Sequence, residues 1–347
     1  PGRGWVRASG CLPFSTVRET MTERLLEVQN LGVRFEIGSL FNKSGLRAVH
    51  NVNFRIDRGE IVALVGESGS GKSTIARMIC RLELPTSGRI LLDGQDVLTT
   101  EAKGASKDYR KRIQMIFQDP FGSLNPVHNV AYHLARPLQL HQAISSSNLR
   151  DHILELLTTV GLKPAEDFIN KFPHSLSGGQ RQRVAIARAL ATEPDLICAD
   201  EPTSMLDVSI RMDILRLLDK LREEKHTAFI FVTHDLAAAR QLADRILVLY
   251  AGQLVEEASA DDLVAAPKHP YTKLLLAAAP KADGSLEAEL PAEPGAPKNV
   301  DPPSGCPFVD RCHQALPCCS QRTPGWTYFE NRRVRCYLYG DASEEEF

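Results

Sequence analysis

Gly66-Glu67-Ser68-Gly69-Ser70-Gly71-Lys72-Ser73-Thr74 fits the spacing G-x-x-x-x-G-K-[ST]. It follows Ile61 to Val65, a short apolar run that reads as a buried strand, and leads into Ser73 to Leu82, which reads as a helix. Strand, glycine-rich loop and helix N-terminus make an anion cradle, because inward-pointing backbone N–H groups add to roughly half a positive charge from the helix dipole. Three glycines let the backbone close on a polyphosphate without Cβ clashes. In such a loop Lys72 would reach the β- and γ-phosphates of a nucleotide and the Ser73 hydroxyl would ligate Mg²⁺.

The 347 residues allow one large or two medium domains, and 43% hydrophobic with 24% charged content is ordinary for a globular chain. A net charge of −2 argues against a general nucleic-acid binder. No apolar run is long enough to span a bilayer, so membrane association would go through partners. Arg3, Arg7 and Arg18 occur without a continuous apolar segment, unlike a secretory signal. Residues 1–24 are therefore expected to be a disordered extension or an upstream-translated leader, with Met21 the natural start.

Leu25 to Phe35 and Ala48 to Ile56 alternate as strands, with Gly38 to Gly45 a polar loop between them. Arg89 to Leu92 and Arg112 to Phe117 are further strands. From Gln118 to Leu190 the pattern turns mostly helical, with Val127 to Leu140, Ser147 to Val160 and Pro164 to Lys171 as candidates. Strands Leu196 to Ala199 and Ala228 to Val232 flank an amphipathic helix from Val208 to Glu224. Arg245 to Tyr250 and Gln253 to Glu257 form a hairpin, and Tyr271 to Ala279 a short helix. Strands alternating with helices imply an α/β fold with a mainly parallel sheet covered on both faces. Pro280 to Gly305 is rich in Pro, Ala, Gly and Glu and reads as a linker or arm.

Asp200 and Glu201 sit at the C-terminal end of a buried strand, where ligands bind in open α/β sheets. Asp200 would hold Mg²⁺ through its water shell, and Glu201 would polarise the water that attacks the γ-phosphate. Leu176-Ser177-Gly178-Gly179-Gln180 opens the helix Arg181 to Ala191 and makes a second phosphate-binding N-terminus. One nucleotide has no use for two such cradles in one chain. A dimer, in which each chain's second cradle caps the nucleotide on the other chain's first, uses both.

With these residues in place the chain resembles the nucleotide-binding subunit of an ABC transporter, over about Leu25 to Val264. Gly66 to Thr74 resembles Walker A, Gln118 the Q-loop, Leu176 to Gln180 the signature, and Asp200-Glu201 the end of Walker B. Ser204 to Asp207 resembles the D-loop, although Met205 replaces a small residue. His234 looks like the switch histidine, and Phe35 stands where an aromatic residue stacks on adenine. The resemblance implies a P-loop NTPase core over residues 25–265, with an antiparallel β subdomain and a helical subdomain at about 119–190. An arm over 266–304 and a small cysteine-rich C-terminal module over 305–347 would follow. It implies ATP and Mg²⁺ as cofactors, with Ser73, Gln118 and Asp200 around the metal. Glu201, His234 and Gln118 would be catalytic, and Asp207 would belong to the dimer seam.

Gln114 to Pro126, the Val-Gly-Glu-Ser-Gly-Ser-Gly of the phosphate loop and His269-Pro-Tyr-Thr272 look like the oligopeptide/dipeptide importer ATPases, specifically the second subunit of the pair. The implied partners are two membrane permease subunits, a second ATPase subunit (a paralogue or a second copy) and, indirectly, an extracytoplasmic solute-binding protein, with no nucleic acid. The implied location is the cytoplasmic face of a bacterial inner membrane. The rival readings are a soluble ABC ATPase uncoupled from a permease and a P-loop kinase or GTPase; the second cradle argues against the latter.

Five of eight cysteines lie between Cys306 and Cys336. Cys306, Cys312, Cys319 and Cys336, with five, six and sixteen residues between them, are candidates for an iron–sulfur cluster or zinc, or for reduced thiols packing a small module. The family resemblance points to a [4Fe–4S] cluster, leaving Cys318 spare.

Overall fold

The computed structural model describes residues 24–39, 42–142, 144, 147–278 and 304–340. Its first half contains the strands β1 (Arg24–Ser39), β2 (Asn42–Asp57), β3 (Ile61–Val65), β4 (Ser87–Leu92), β5 (Gln95–Asp96) and β6 (Ile113–Ile116), with helix α1 (Lys72–Ile79) after β3. Helices α2 (Val130–Pro137), α3 (Leu149–Thr159) and α4 (Gly178–Leu190) follow. Then come β7 (Leu196–Asp200), α5 (Val208–Lys225), β8 (Ala228–Thr233), α6 (Leu236–Leu242), β9 (Arg245–Tyr250), β10 (Gln253–Ser259) and α7 (Pro270–Ala277). The last described segment carries β11 (Thr327–Phe329) and β12 (Arg332–Val334).

Among the described residues these strands form two sheets. The smaller has the order β2-β1-β4-β5 and is antiparallel; the larger has the order β11-β12-β10-β9-β3-β8-β7-β6. In the larger sheet β9, β3, β8, β7 and β6 run parallel, and β10, β12 and β11 continue one edge antiparallel.

The alternation of side chains along β3 explains how the two sheets and the helices fit together. Ile61, Ala63 and Val65 join an apolar cluster with Val130, Leu134, Leu157 and Val184 of α2, α3 and α4. Val62 and Leu64 point the other way, into a cluster with Leu26, Phe54 and Ile56 of the small sheet and Ile75 and Ile79 of α1. A strand buried on both faces favours apolar residues along its length, which is why β3, and β8 as far as Val232, read as unbroken apolar runs.

The helix starts are set locally. Asn129 caps α2 through Oδ1, which accepts from the Tyr132 N–H at 3.0 Å. Ser177 and Gln180 make a reciprocal capping box at the start of α4. Of the stretch expected to be a loop, Gly38 to Gly45, residues 38–39 and 42–45 belong instead to β1 and β2, where Gly38 pairs with Lys43 and Ser39 with Asn42, and residues 40–41 lie outside the described residues. Backbone pairing needs no apolar side chains once the hairpin register is set by the buried pairs below it. The arm expected over 266–304 begins with α7, and its residues 279–303 lie outside the described residues, as do the expected helix end at Ala279 and the N-terminal extension through residue 23.

The segment from Ser304 onward is tied into the larger sheet by β12, which pairs with β10 at Glu256↔Val334, Glu257↔Arg333 and Ala258↔Arg332. Arg333 Nε donates to Glu257 Oε2 at 2.7 Å, and Arg245 also binds that carboxylate. Phe231, on the central strand β8, is fully buried in the cluster that joins sheet to helices. Phe231→Ala should therefore cost about 3–5 kcal/mol and lower the urea midpoint of unfolding. A midpoint equal to the parent's would show that this cluster does not stabilise the fold as described.

Candidate active site

The phosphate loop folds between β3 and α1 around positions that admit only glycine. Gly71 has φ +103°, and a Cβ there would lie 2.4 Å from the Ala48 carbonyl oxygen. A Cβ on Gly66 would lie 2.1 Å from the Leu249 carbonyl oxygen. The loop is thus pressed against β2 on one side and β9 on the other. The Lys72 side chain is buried inside it: Nζ donates to the Gly66 carbonyl at 2.7 Å, the Glu67 carbonyl at 2.8 Å and Ser70 Oγ at 3.4 Å. Burial lowers the Lys72 pKa, while the charges of Glu201, Asp200 and Glu67 act against that shift. Ser70 is buried beside the amine, Ser68 and Gly69 are exposed, and Thr74 is half-buried at the start of α1.

From across the sheet, Asp200 at the end of β7 reaches this loop. Ser73 Oγ donates to Asp200 Oδ1 at 2.7 Å, a contact between residues 127 apart in sequence. Burial raises the Asp200 pKa, against the lowering effect of the Ser73 hydrogen bond and of Arg77. A hydroxyl and a buried carboxylate side by side are hard oxygen donors, and they fit a Mg²⁺ ion that keeps part of its water shell.

Glu201 follows with φ +44°, its N–H donating to the Val232 carbonyl at 2.9 Å. Its side chain accepts from Gln118 Nε2 at 3.1 Å, and its other oxygen lies 3.4 Å from His234 Nδ1. Gln118 and His234 are exposed, and the half-buried carboxylate lies between an amide and an imidazole. A carboxylate held in this way can take a proton from a water molecule. The structure therefore brings Lys72, Ser73, Asp200, Glu201, Gln118 and His234 to one edge of the sheet.

Comparison with known proteins agrees with this geometry. Residues 49–204 match the family model described as ABC transporter, and residues 255–319 match oligopeptide/dipeptide transporter, C-terminal region. The oligopeptide transport ATP-binding protein AppF of Bacillus subtilis is 40% identical over 324 residues, covering 91% of this chain and 98% of that protein. The dipeptide transport ATP-binding protein DppF of Escherichia coli is 37% identical over 333 residues, covering 93% and 97%. This chain belongs to the ABC transporter ATP-binding proteins. Among solved structures, the ATP-binding cassette MJ0796, described as a dimer in a post-hydrolysis state bound to ADP and Pi, matches with a TM-score of 0.60 and 36% identity, covering 68% of this chain and 99% of that one.

The remaining expected residues of this ABC ATPase lie apart from the acid cluster. Ser177 to Gln180 form the N-terminus of α4, where Gly178 and Gly179 pack close to Leu206 and Ile210. Asp207 is the N-cap residue of α5 without a side-chain cap bond. Phe35 pairs with Leu46 across the β1–β2 hairpin and is half-buried against the core cluster of the small sheet.

Sequence reasoning missed two residues that grip Glu67, Tyr271 and Arg311, and a third, Tyr250, that supports Arg311. The Glu67 N–H donates to Tyr271 Oη at 2.8 Å, and Arg311 binds the Glu67 carboxylate through both terminal nitrogens beside Tyr250. The quoted His269-Pro-Tyr-Thr272 contains one of them, but no spacing links it to residue 67.

Cys306, Cys312, Cys319 and Cys336 do line one cavity, together with His269 and Phe308. That cavity measures about 20 Å³, and among the described residues no three His, Cys, Asp or Glu side chains are grouped to hold a metal ion. Such a space takes about one water molecule, so the arrangement does not fit an iron–sulfur cluster. Burial raises the thiol pKa of Cys312, that of Cys306 to about 12 and that of Cys336 to about 11, from an ordinary 9.0. The neutral thiols contribute stability that is fully present below pH 9.0 and is lost as pH rises toward those values. Alkylation of Cys306 in the folded chain should therefore be slow at pH 8, with about one thiol in ten thousand ionised, and should accelerate with pH. Mass spectrometry of iodoacetamide-treated protein reads this directly; a rate at pH 8 equal to that in urea would contradict it.

Proposed function

We propose that this ABC ATPase is the energy-supplying subunit of a bacterial importer for oligopeptides, dipeptides or related small solutes. The observation that carries the reading is the Ser73–Asp200 hydrogen bond, which closes a phosphate cradle and an acid pair into one nucleotide site. Lys72 and the loop N–H groups would bind the β- and γ-phosphates of ATP, with Phe35 against the adenine. Ser73, Asp200 and Gln118 would hold Mg²⁺, which would supply charge neutralisation at the transferring phosphate. Glu201 would accept the proton of the attacking water while His234, beside it, orients on the γ-phosphate.

Closure would require Ser177 to Gln180 from a second ATPase subunit, a paralogue or another copy, with Asp207 at the seam. The groove of about 870 Å³ lined by Phe117, Gln118, Tyr132 and Arg136 would receive a permease subunit, since it joins the acid cluster to the helical region. Two permease subunits would place this chain peripherally on the cytoplasmic face of the membrane, and a solute-binding protein outside would deliver the peptide. The names of the relatives, oligopeptide and dipeptide transport ATP-binding proteins, support the substrate class. No step of this reading uses an iron–sulfur centre, for which the space between the four cysteines gives no support.

In proteoliposomes containing the permease complex, ATP should drive peptide accumulation. Glu201→Gln should keep ATP affinity and lose about 10²–10⁴-fold in turnover, trapping closed dimers visible by gel filtration. Near-parental turnover would remove Glu201 from the proposed role, and ATP-driven uptake of no peptide would remove the substrate class.

A further inference from the structure

The cysteine-rich segment places an arginine on the phosphate loop, far in sequence from the loop's own motif. Arg311, in a short turn of Val309–Arg311, donates from Nη1 to Glu67 Oε2 at 2.9 Å and from Nη2 to Glu67 Oε1 at 3.0 Å, across 244 residues of sequence. The pair is two-pronged and charge-assisted, the geometry in which arginine binds a carboxylate most strongly. Arg311 is seated between aromatic rings, its guanidinium carbon 5.7 Å from the centroids of both Tyr250 and Phe308, and Nη1 also lies 3.4 Å from Tyr250 Oη. The Glu67 hydrogen bond is the largest influence raising the Arg311 pKa, so the guanidinium keeps its charge.

Glu67 is held at its other end as well. Its N–H donates to Tyr271 Oη, and its carbonyl accepts from Lys72 Nζ at 2.8 Å. Tyr250, Tyr271 and Phe308 pack edge to face or tilted with centroids 4.6 to 5.5 Å apart, so the seat under Arg311 is continuous with the support under Glu67. The second residue of the phosphate loop is thus fixed by side chain, N–H and carbonyl at once. Its carboxylate, which would repel a triphosphate, is turned to a cation outside the cradle.

We propose that Arg311 is a positioning residue for ATP: it neutralises Glu67 and holds the loop in the shape that receives the phosphates. This makes the C-terminal segment part of the nucleotide site without touching the nucleotide. The inference rests on the ATPase reading above, and the two fail separately. If the parent chain neither binds nor hydrolyses ATP, that reading falls; if it does both, the clamp is judged on its variants.

Arg311→Met should raise the KM for ATP by about tenfold with kcat changed by less than about threefold, because an interaction that pre-shapes the binding loop is lost before chemistry begins. Arg311→Lys, which keeps the charge without the fork, should fall between parent and Met variant. In the double variant Glu67→Gln with Arg311→Met, the penalty of the Met substitution should shrink to less than about twofold, since its partner charge is gone. Thermal melting of each full-length variant separates this role from a structural one. An Arg311→Met protein that melts lower with KM unchanged, or a penalty of the same size in the Glu67→Gln background, overturns the proposal.

Discussion

Three parallel strands ending in register are the constraint on which the site depends. Val65 of β3 pairs with Thr233 of β8, and Asp200 of β7 pairs with Val232. One residue beyond those pairs come Gly66, His234 and Glu201, so the phosphate loop, the imidazole and the acid leave the sheet at one edge. A shift of β7 by one residue would turn Asp200 to the opposite face and separate it from Ser73. Register is defended by burial: every residue of β3, β7 and β8 is buried, and the two faces feed different apolar clusters. The chemistry is specified by the packing of residues that take no part in it.

The same burial sets the electrostatics. It pushes Lys72 down and Asp200 up, so each charge is disfavoured by its surroundings and supported by its neighbours. Their hydrogen-bond partners within the chain are loop carbonyls and hydroxyls, which are dipoles rather than ions. A polyphosphate offers Lys72 full negative charge and a divalent cation offers Asp200 full positive charge. Binding the two together therefore relieves both strains, and neither ligand alone relieves both. This is a physical reason for a nucleotide and its metal to be taken up as a pair.

Much of this was legible in the sequence, for reasons that differ by residue. Phe229 to Val232 and Ile61 to Val65 announce themselves because a strand buried on both faces is apolar without interruption. Asp200 and Glu201 stand out because two acids directly after such a run occupy the carboxyl end of the sheet. Residues 38–39 and 42–45 were not legible as strand, since their pairing is a backbone matter and their composition is that of a turn. The cysteines misled for the opposite reason: their clustering resembles a ligand set, while their burial as neutral thiols is a property of the packed segment. Arg311 and Glu67 carry no periodic signal, because an ion pair across 244 residues exists only once β12 has joined β10 and brought the segment back to the loop.

Ser177 shows how a local role and a distant one coexist in one hydroxyl. Its Oγ accepts from the Gln180 N–H at 3.3 Å, and the Ser177 N–H donates to Gln180 Oε1 at 3.0 Å, so the residue caps its own helix. Capping uses an oxygen lone pair and leaves the hydroxyl proton available for donation. An anion arriving at the start of α4 would meet that proton together with the N–H groups and the dipole of a helix whose cap is already formed. In the proposed role, the cap that closes this helix start would not compete with the phosphate for the hydroxyl proton. The Gly66 to Thr74 loop is likewise held by contacts of its own chain, with Tyr271 and Arg311 at Glu67 and β2 and β9 against its glycines. In the proposed cycle these two half-sites, at separate places on one chain, would meet around one nucleotide only when two chains approach each other.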